Sequence, residues 1–223
     1  VAVGSVVTDD EGPRQPRIIF APGTTATMTG PAWGPLPLTT FHVRATEFTV
    51  GATGVSAMPA PLPATSGYTY AVEYTADEAI AVAATTVRFS QPLIHYVENF
   101  LDFPVGGPVP TGYYDRALGV WVASDNGRII RVLSITAGLA ALDLNGTGVP
   151  ANATALAALG VTDDERAKLA TLYAPGQSLW RVPIPHFTPW DTNWGVGPPD
   201  DAVFPNAPQA QDDTTERPSY TCG

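Results

Sequence analysis

Glycine and proline interrupt this chain so often that only short regular elements fit between them. There are 21 Gly and 23 Pro among the 223 residues. Several of the intervening runs alternate, as in residues 39–50, where Phe41, Val43 and Ala45 fall on one face of an extended chain. Because successive side chains of a strand point to opposite faces, this alternation indicates half-buried strands. Many short strands separated by turns are typical of all-β domains. The sequence therefore predicts an all-β, β-sandwich-like fold.

Two segments predict particular strand arrangements. Residues 118–135 read LGVWVASD, then Asn126-Gly127, then RIIRVLSI. Asn-Gly suits the two positive-φ positions of a type I′ turn, so this segment predicts a β-hairpin. Residues 85–98 predict a strand in which Pro92 marks an edge, a bulge or a turn, because proline cannot donate to the sheet.

Residues 151–174 predict a small helical hairpin inserted in the strand-rich chain. Asn152 can cap the first helix, and Gly160 can end it in the left-handed conformation. Thr162 and Glu165 have the spacing of a capping box, in which the Glu side chain reaches back to the Thr amide.

The organisation along the chain predicts a β-sandwich domain over residues 1–194. This region is either one unit or two packed β subdomains, about 1–90 and 91–194. Residues 195–223 are rich in proline and are expected to be a linker that leaves the domain.

Charge and hydropathy exclude several classes of partner. Lys and Arg number 11 against 21 Asp and Glu, which gives a net charge of −10. Nucleic acids and anionic membranes require a basic surface, so neither is expected to bind. The sequence has no apolar run long enough to span a membrane. Its single cysteine, Cys222, cannot form a disulfide within the chain.

The strongest candidate for a catalytic motif is His186-Phe187-Thr188. In an N→O acyl shift, the imidazole would act as general base and the Thr188 hydroxyl would attack the Phe187 carbonyl, after which water would hydrolyse the ester. Such self-cleavage also requires a strained bond between Phe187 and Thr188. The alternative is a strand end at which aromatic side chains pack on the sheet and His186 bonds to backbone.

Asp143, Asn145 and Thr147, followed by Gly148, resemble the start of a calcium loop. The twelfth position of such a loop is Thr154 rather than a bidentate Glu, so any calcium site would be weak. The alternative is an Asx/Gly turn that leads into the helices. No other cofactor is expected.

Aromatic residues concentrate near the end of the predicted domain, at Trp180, Phe187, Trp190 and Trp194. Exposed rings of this kind can stack on sugars or contact a partner, whereas buried rings form a core. The sequence leaves both interpretations open.

Four segments carry a resemblance to a known family: residues 91–131, 65–74 (TSGYTYAVEY), 174–194 (APGQSLWRVPIPHFTPWDTNW) and the terminal Cys-Gly. Over about residues 5–223, the chain resembles the region that precedes the repeats in bacterial Rhs/YD-repeat proteins. Thr192 stands where the pattern of that family has Cys. In the family, the repeats wind into a β-shell that encloses a C-terminal toxin.

The resemblance implies a non-catalytic structural or interaction domain of a large exported protein, secreted or at the cell surface. Its expected partner is the downstream repeat shell of its own chain. A fainter likeness, in residues 18–24 and in the HFT triplet, connects the chain to self-cleaving sandwich domains of animal death-domain proteins. The alternatives are therefore a domain that cuts itself between Phe187 and Thr188, and a glycan- or partner-binding β-sandwich.

Overall fold

The computed structural model describes residues 1–48, 50–51, 53–62 and 66–195. The strands are β1 (Ala2–Val3), β2 (Val7–Asp9), β3 (Gly12–Arg14), β4 (Arg17–Ile19), β5 (Ala26–Gly30), β6 (Trp33–Leu38), β7 (Val43–Glu47), β8 (Ala71–Ala76), β9 (Thr86–Glu98), β10 (Pro108–Val109), β11 (Gly112–Asp115), β12 (Val120–Ala123), β13 (Gly127–Thr136), β14 (Leu139–Asp143), β15 (Ser178–Phe187) and β16 (Pro189–Asp191). The α-helices are α1 (Asp77–Ala81), α2 (Ala153–Ala158) and α3 (Asp163–Leu172), and Gly54–Ala57 form a 3₁₀ turn.

These strands form two large antiparallel sheets. The first sheet has nine strands, with the order β1-β4-β9-β15-β13-β10; β14 also pairs with β13, and the β5–β6 hairpin joins at β9. The second has five strands in the order β12-β11-β16-β8-β7, and β2 and β3 pair separately. The all-β, sandwich-like prediction is confirmed.

The main hydrophobic core lies between the two large sheets. Alternation along β15 explains its first wall, since Trp180, Val182 and Ile184 all point into this core. Tyr74 of β8 and Trp190 of β16 form part of the opposite wall. The two sheets therefore bury each other's inner faces, as in other β-sandwiches.

The helical hairpin covers the outer face of the nine-stranded sheet and makes a second core there. Leu169 of α3 is fully buried against this face, where Leu179 of β15 also packs. The predicted caps are present: the Asn152 side chain accepts from the amide of Ala155, and the φ of Gly160 is +67°. The predicted helical insert is thus confirmed.

One half of the predicted capping box is wrong. The Thr162 hydroxyl accepts from the Glu165 amide at 3.2 Å, as expected. The Glu165 side chain, however, turns into the protein and pairs with Arg181 of β15 at 2.7 Å. A buried guanidinium requires a counter-charge, and this requirement outweighs a single bond to an amide at the helix end.

The predicted hairpin at Asn126-Gly127 is also wrong. β12 pairs with β11 in the five-stranded sheet, whereas β13 belongs to the nine-stranded sheet. Neither Asn126 nor Gly127 has a positive φ. Gly127 is required by close packing instead, because a Cβ there would lie 2.4 Å from the Arg181 carbonyl oxygen. The positive-φ pair lies at Ala137 and Gly138, in the turn between β13 and β14.

Pro92 lies in a bulge, one of the three predicted environments. In the β9–β15 ladder, Leu93 pairs with Ile184 and Arg88 pairs with His186. Residues 89–92 of β9 therefore lie opposite the single residue Pro185, and this break in the register accommodates both prolines.

The strand β9 spans residue 90, the boundary between the two subdomains that the sequence left open. It pairs with β4 and β5, which precede this boundary in the chain, and with β15, which follows it. The predicted linker, apart from Gly195, lies outside the described residues. Among those that are described, no helix is long and apolar enough to cross a membrane.

Candidate functional site

The chain passes from one large sheet to the other at the end of β15. β15 ends at Phe187 in the nine-stranded sheet, β16 begins at Pro189 in the five-stranded sheet, and Thr188 alone separates them. Strands that switch sheets make the corners of sandwiches. This corner contains the His186-Phe187-Thr188 motif.

A cleft of about 460 Å³ opens at this corner, and we call it the crossover cleft. Its walls come from the start of β9, from β11 and the turn that follows it, and from the end of β15. The lining residues that carry polar or aromatic side chains are Thr85, Thr86, Arg88, Tyr113, Tyr114, Asp115, Arg116, His186, Phe187 and Thr188. This volume is in the range of small-molecule sites.

The imidazole of His186 is held between aromatic rings at the wall of the cleft. The rings of Tyr113 and Trp190 lie 4.9 and 5.1 Å from it, centroid to centroid. Arg88 is its direct partner across the β9–β15 ladder, so both side chains leave the sheet on the same face. Burial, assisted by the positive charge of Arg88, lowers the pKa of His186 to about 4. The imidazole is therefore neutral near pH 7.

Thr188 is placed differently from what self-cleavage would require. Its side chain is buried, and the hydroxyl donates to the carbonyl of Tyr114 at 2.7 Å. No hydrogen bond joins His186 to Thr188 in the part of the chain that the structure describes. Neither Phe187 nor Thr188 has a positive φ. The motif is thus brought to one cleft, but its base and its hydroxyl are not paired.

The aromatic side chains singled out in the sequence are mostly internal. The exposed fractions of Trp180, Phe187 and Trp190 are 0, 8 and 2 %. Their burial matches the core interpretation, because the two sheets close over these three rings. Trp194 is only partly buried, and its ring stacks on that of Phe103 at 4.2 Å.

The calcium candidate is a turn whose side-chain oxygens accept from its own backbone. Asp143 accepts from the amides of Asn145, Gly146 and Gly148, and the Asn145 side chain accepts from the Thr147 amide and hydroxyl. Burial acts to raise the pKa of Asp143, but these amide donors outweigh it, so the pKa is lowered. This geometry matches the Asx/Gly turn alternative.

The segment from β16 to Gly195 is tied to residues 66–70, and we call it the exit segment. The side-chain oxygen of Asn193 accepts from the amides of Thr69 and Tyr70, at 2.6 and 3.2 Å. The Gly67 amide donates to the carbonyl of Trp194, and Gly195 forms a bridge with Ser66. Backbone and side-chain bonds together hold the chain here.

Sequence reasoning missed Arg88 and did not assign Tyr113 to the site. A signal for Arg88 exists in TTVRFS at 85–90, where Val87 and Phe89 alternate with Thr86 and Arg88. The apolar pair faces the core, so the polar pair must face outwards. Nothing in the sequence indicated that β11 would pass beside the end of β15.

Comparison of the chain with protein-family models, with curated proteins and with solved structures finds no match.

Proposed function

We propose that this chain is a non-catalytic structural domain that precedes and packs on the repeat shell of an Rhs-type exported protein. The resemblance in residues 91–131 and 174–194 implies this role. The structural observation that supports it is the anchoring of the exit segment, which includes the end of the second of these stretches.

The exit segment is held by burial, by strand pairing and by aromatic packing. Pro189, Trp190 and Asp191 are buried, and β16 pairs with β8 on one side and with β11 on the other. Trp194 then packs on Trp180, with ring centroids 4.8 Å apart. Anchoring of this kind suits a domain that must orient a large neighbour.

The arrangement of the crossover cleft also favours a non-catalytic role. The hydroxyl of Thr188 is engaged by a backbone carbonyl, and the described residues place no general base against it. Self-cleavage between Phe187 and Thr188 remains the alternative proposal, and the neutral imidazole of His186 beside a solvent-open cleft is the observation that favours it.

The proposal is tested by mixing the purified chain with a separately produced repeat shell of an Rhs-type protein and measuring association by calorimetry. We expect a stoichiometric complex. We also expect Asn193→Leu to weaken it, because this change removes the acceptor for two amides. Asn126→Leu, at an exposed position, is the matched control.

Hydrogen exchange provides the second readout of this experiment. In Asn193→Leu, the amides of Thr69 and Tyr70 should exchange faster than in the wild type, and Asn126→Leu should leave them unchanged. Absence of association between the wild-type chain and the shell would refute the structural role. Unchanged exchange in Asn193→Leu would refute the anchoring.

A further inference from the structure

Arg88 is a cation without a counter-ion at the edge of the crossover cleft. The protein carries an excess of acidic residues, yet within the described residues the Arg88 side chain forms neither an ion pair nor a hydrogen bond. Arg116, the other guanidinium of the cleft, pairs with Glu73. Asp115 accepts from the amides of its own turn. Arg88 is thus the one guanidinium of the described cleft wall that has no carboxylate partner.

The imidazole of His186 supplies a neutral polar group beside this charge. Neither of its ring nitrogens hydrogen bonds to a described residue, and neither is sealed from solvent. A neutral imidazole has one N–H donor and one acceptor, which suits a hydroxyl group. The flanking rings of Tyr113 and Trp190 keep its orientation.

Tyr113 adds a partly buried aromatic wall to the cleft. Its ring lies 4.9 Å from His186 and is backed by Trp190 at 5.6 Å. A rigid ring that is apolar on its face and polar at its tip is well suited to contact the C–H face of a sugar. The Thr86 side chain lies on the same wall of the cleft as Arg88.

We propose that the crossover cleft binds a sugar acid, that is, a pyranose ring that bears a carboxylate. Arg88 binds the carboxylate, the imidazole of His186 bonds to a ring hydroxyl, and Tyr113 contacts the ring. A single unpaired guanidinium matches a monoanion better than the double charge of a phosphate. This proposal concerns the cleft and does not depend on a repeat shell.

The test is an NMR titration of the full chain with D-glucuronate, with D-glucose and with acetate. D-Glucuronate should bind with a dissociation constant of about 1 mM and should shift the signals of Tyr113 and His186. D-Glucose and acetate, which carry the ring alone and the carboxylate alone, should each bind about tenfold more weakly or worse. Equal binding of acetate and D-glucuronate would overturn the assignment of a sugar acid.

Two variants locate the site. Arg88→Gln should weaken D-glucuronate binding about tenfold or more, because a hydrogen bond between charged groups is lost. Arg131→Gln changes an exposed arginine of β13 in the same way and should bind as the wild type does. Both positions are exposed, so both variants should fold. Undiminished binding by Arg88→Gln, or no binding by the wild type, would refute the proposal.

The titration of His186 is an independent readout. A bound carboxylate near the imidazole stabilises its protonated form, so the pKa of His186 should rise from about 4 when D-glucuronate is added. D-Glucose should leave this pKa unchanged. An unchanged pKa at saturating D-glucuronate would place the carboxylate away from His186 and Arg88 and would contradict the proposed orientation.

Discussion

Replacing Arg181 by methionine should destabilise the protein where the helical hairpin packs on the sheet. Arg181 lies on β15 and is 2 % exposed, and its guanidinium bonds to both carboxylate oxygens of Glu165 on α3, at 2.7 and 2.9 Å. The guanidinium also donates to the carbonyl of Leu159 at 3.1 Å. Burial disfavours its charge, but the bonds to Glu165 outweigh this cost and raise the pKa of Arg181. The pair is thus a buried connection between sheet and helix.

The expected cost follows from what the substitution leaves behind. Glu165 is 5 % exposed, and in Arg181→Met its carboxylate keeps only the Tyr96 hydroxyl as a hydrogen-bond donor among the described residues. Removing one partner of a buried ion pair costs about 3–5 kcal/mol, because the other charge stays buried. In the double variant Arg181→Met/Glu165→Leu no charge is left uncompensated, and the loss should fall to about 1 kcal/mol or less.

Urea unfolding measures both quantities. With a slope of about 2 kcal/mol per M, a loss of about 4 kcal/mol lowers the midpoint of Arg181→Met by about 2 M. Arg131→Met, at an exposed position of β13, is the control and should change stability by less than about 0.5 kcal/mol. The reasoning is wrong if Arg181→Met lowers the free energy of unfolding no more than this control does. It is also wrong if the loss in the double variant equals the sum of the losses in Arg181→Met and Glu165→Leu.

Three further outcomes are expected. Burial lowers the pKa of His95 to about 3. Below about pH 6.5 the unfolded chain therefore binds a proton at His95 that the folded chain does not. The free energy of unfolding should fall as the pH drops, by about 2 kcal/mol from this residue at pH 5. Urea unfolding at pH 7 and 5 should show a smaller loss in His95→Gln, and an equal loss would contradict this assignment. Gly127→Ala should destabilise the protein by about 1–3 kcal/mol, because the new Cβ meets the carbonyl of Arg181, whereas Gly34→Ala, which has open space, should change little in thermal unfolding. Wild type and Thr188→Val should both keep their intact mass under denaturing conditions, and a wild-type chain cut before Thr188 would establish self-cleavage instead.

The helical insert shows how far local sequence signals reach. Asn152, Gly160 and Thr162 act on amides or on backbone angles within three residues of themselves, and all three do in the structure what the sequence predicted. The strand-rich architecture was predictable for the same reason, since alternation is a property of neighbouring residues. Local signals of this kind survive folding where no tertiary contact competes with them, unlike the Asn126-Gly127 turn and the Glu165 half of the capping box.

The candidate site was only partly predictable. His186 and Thr188 are adjacent enough in sequence to reach the same corner, but whether a base meets a hydroxyl depends on angles that only the packed sheets define. Arg88 and Tyr113 complete the cleft from strands far away in the chain. The positions of Arg88 and Tyr113 in the cleft result from strand pairing, which no short sequence motif encodes.

What the sequence by itself determined was therefore the type of most elements, namely the short strands and the two capped helices of the hairpin. The tertiary structure decided the partners. It placed β12 and β13 in different sheets although Asn-Gly lies between them, drew Glu165 away from its helix end to Arg181, and enclosed Trp180 in the core. The physical reason is that a local preference contributes about 1 kcal/mol, whereas burying an aromatic ring or leaving a buried charge unpaired involves several times as much.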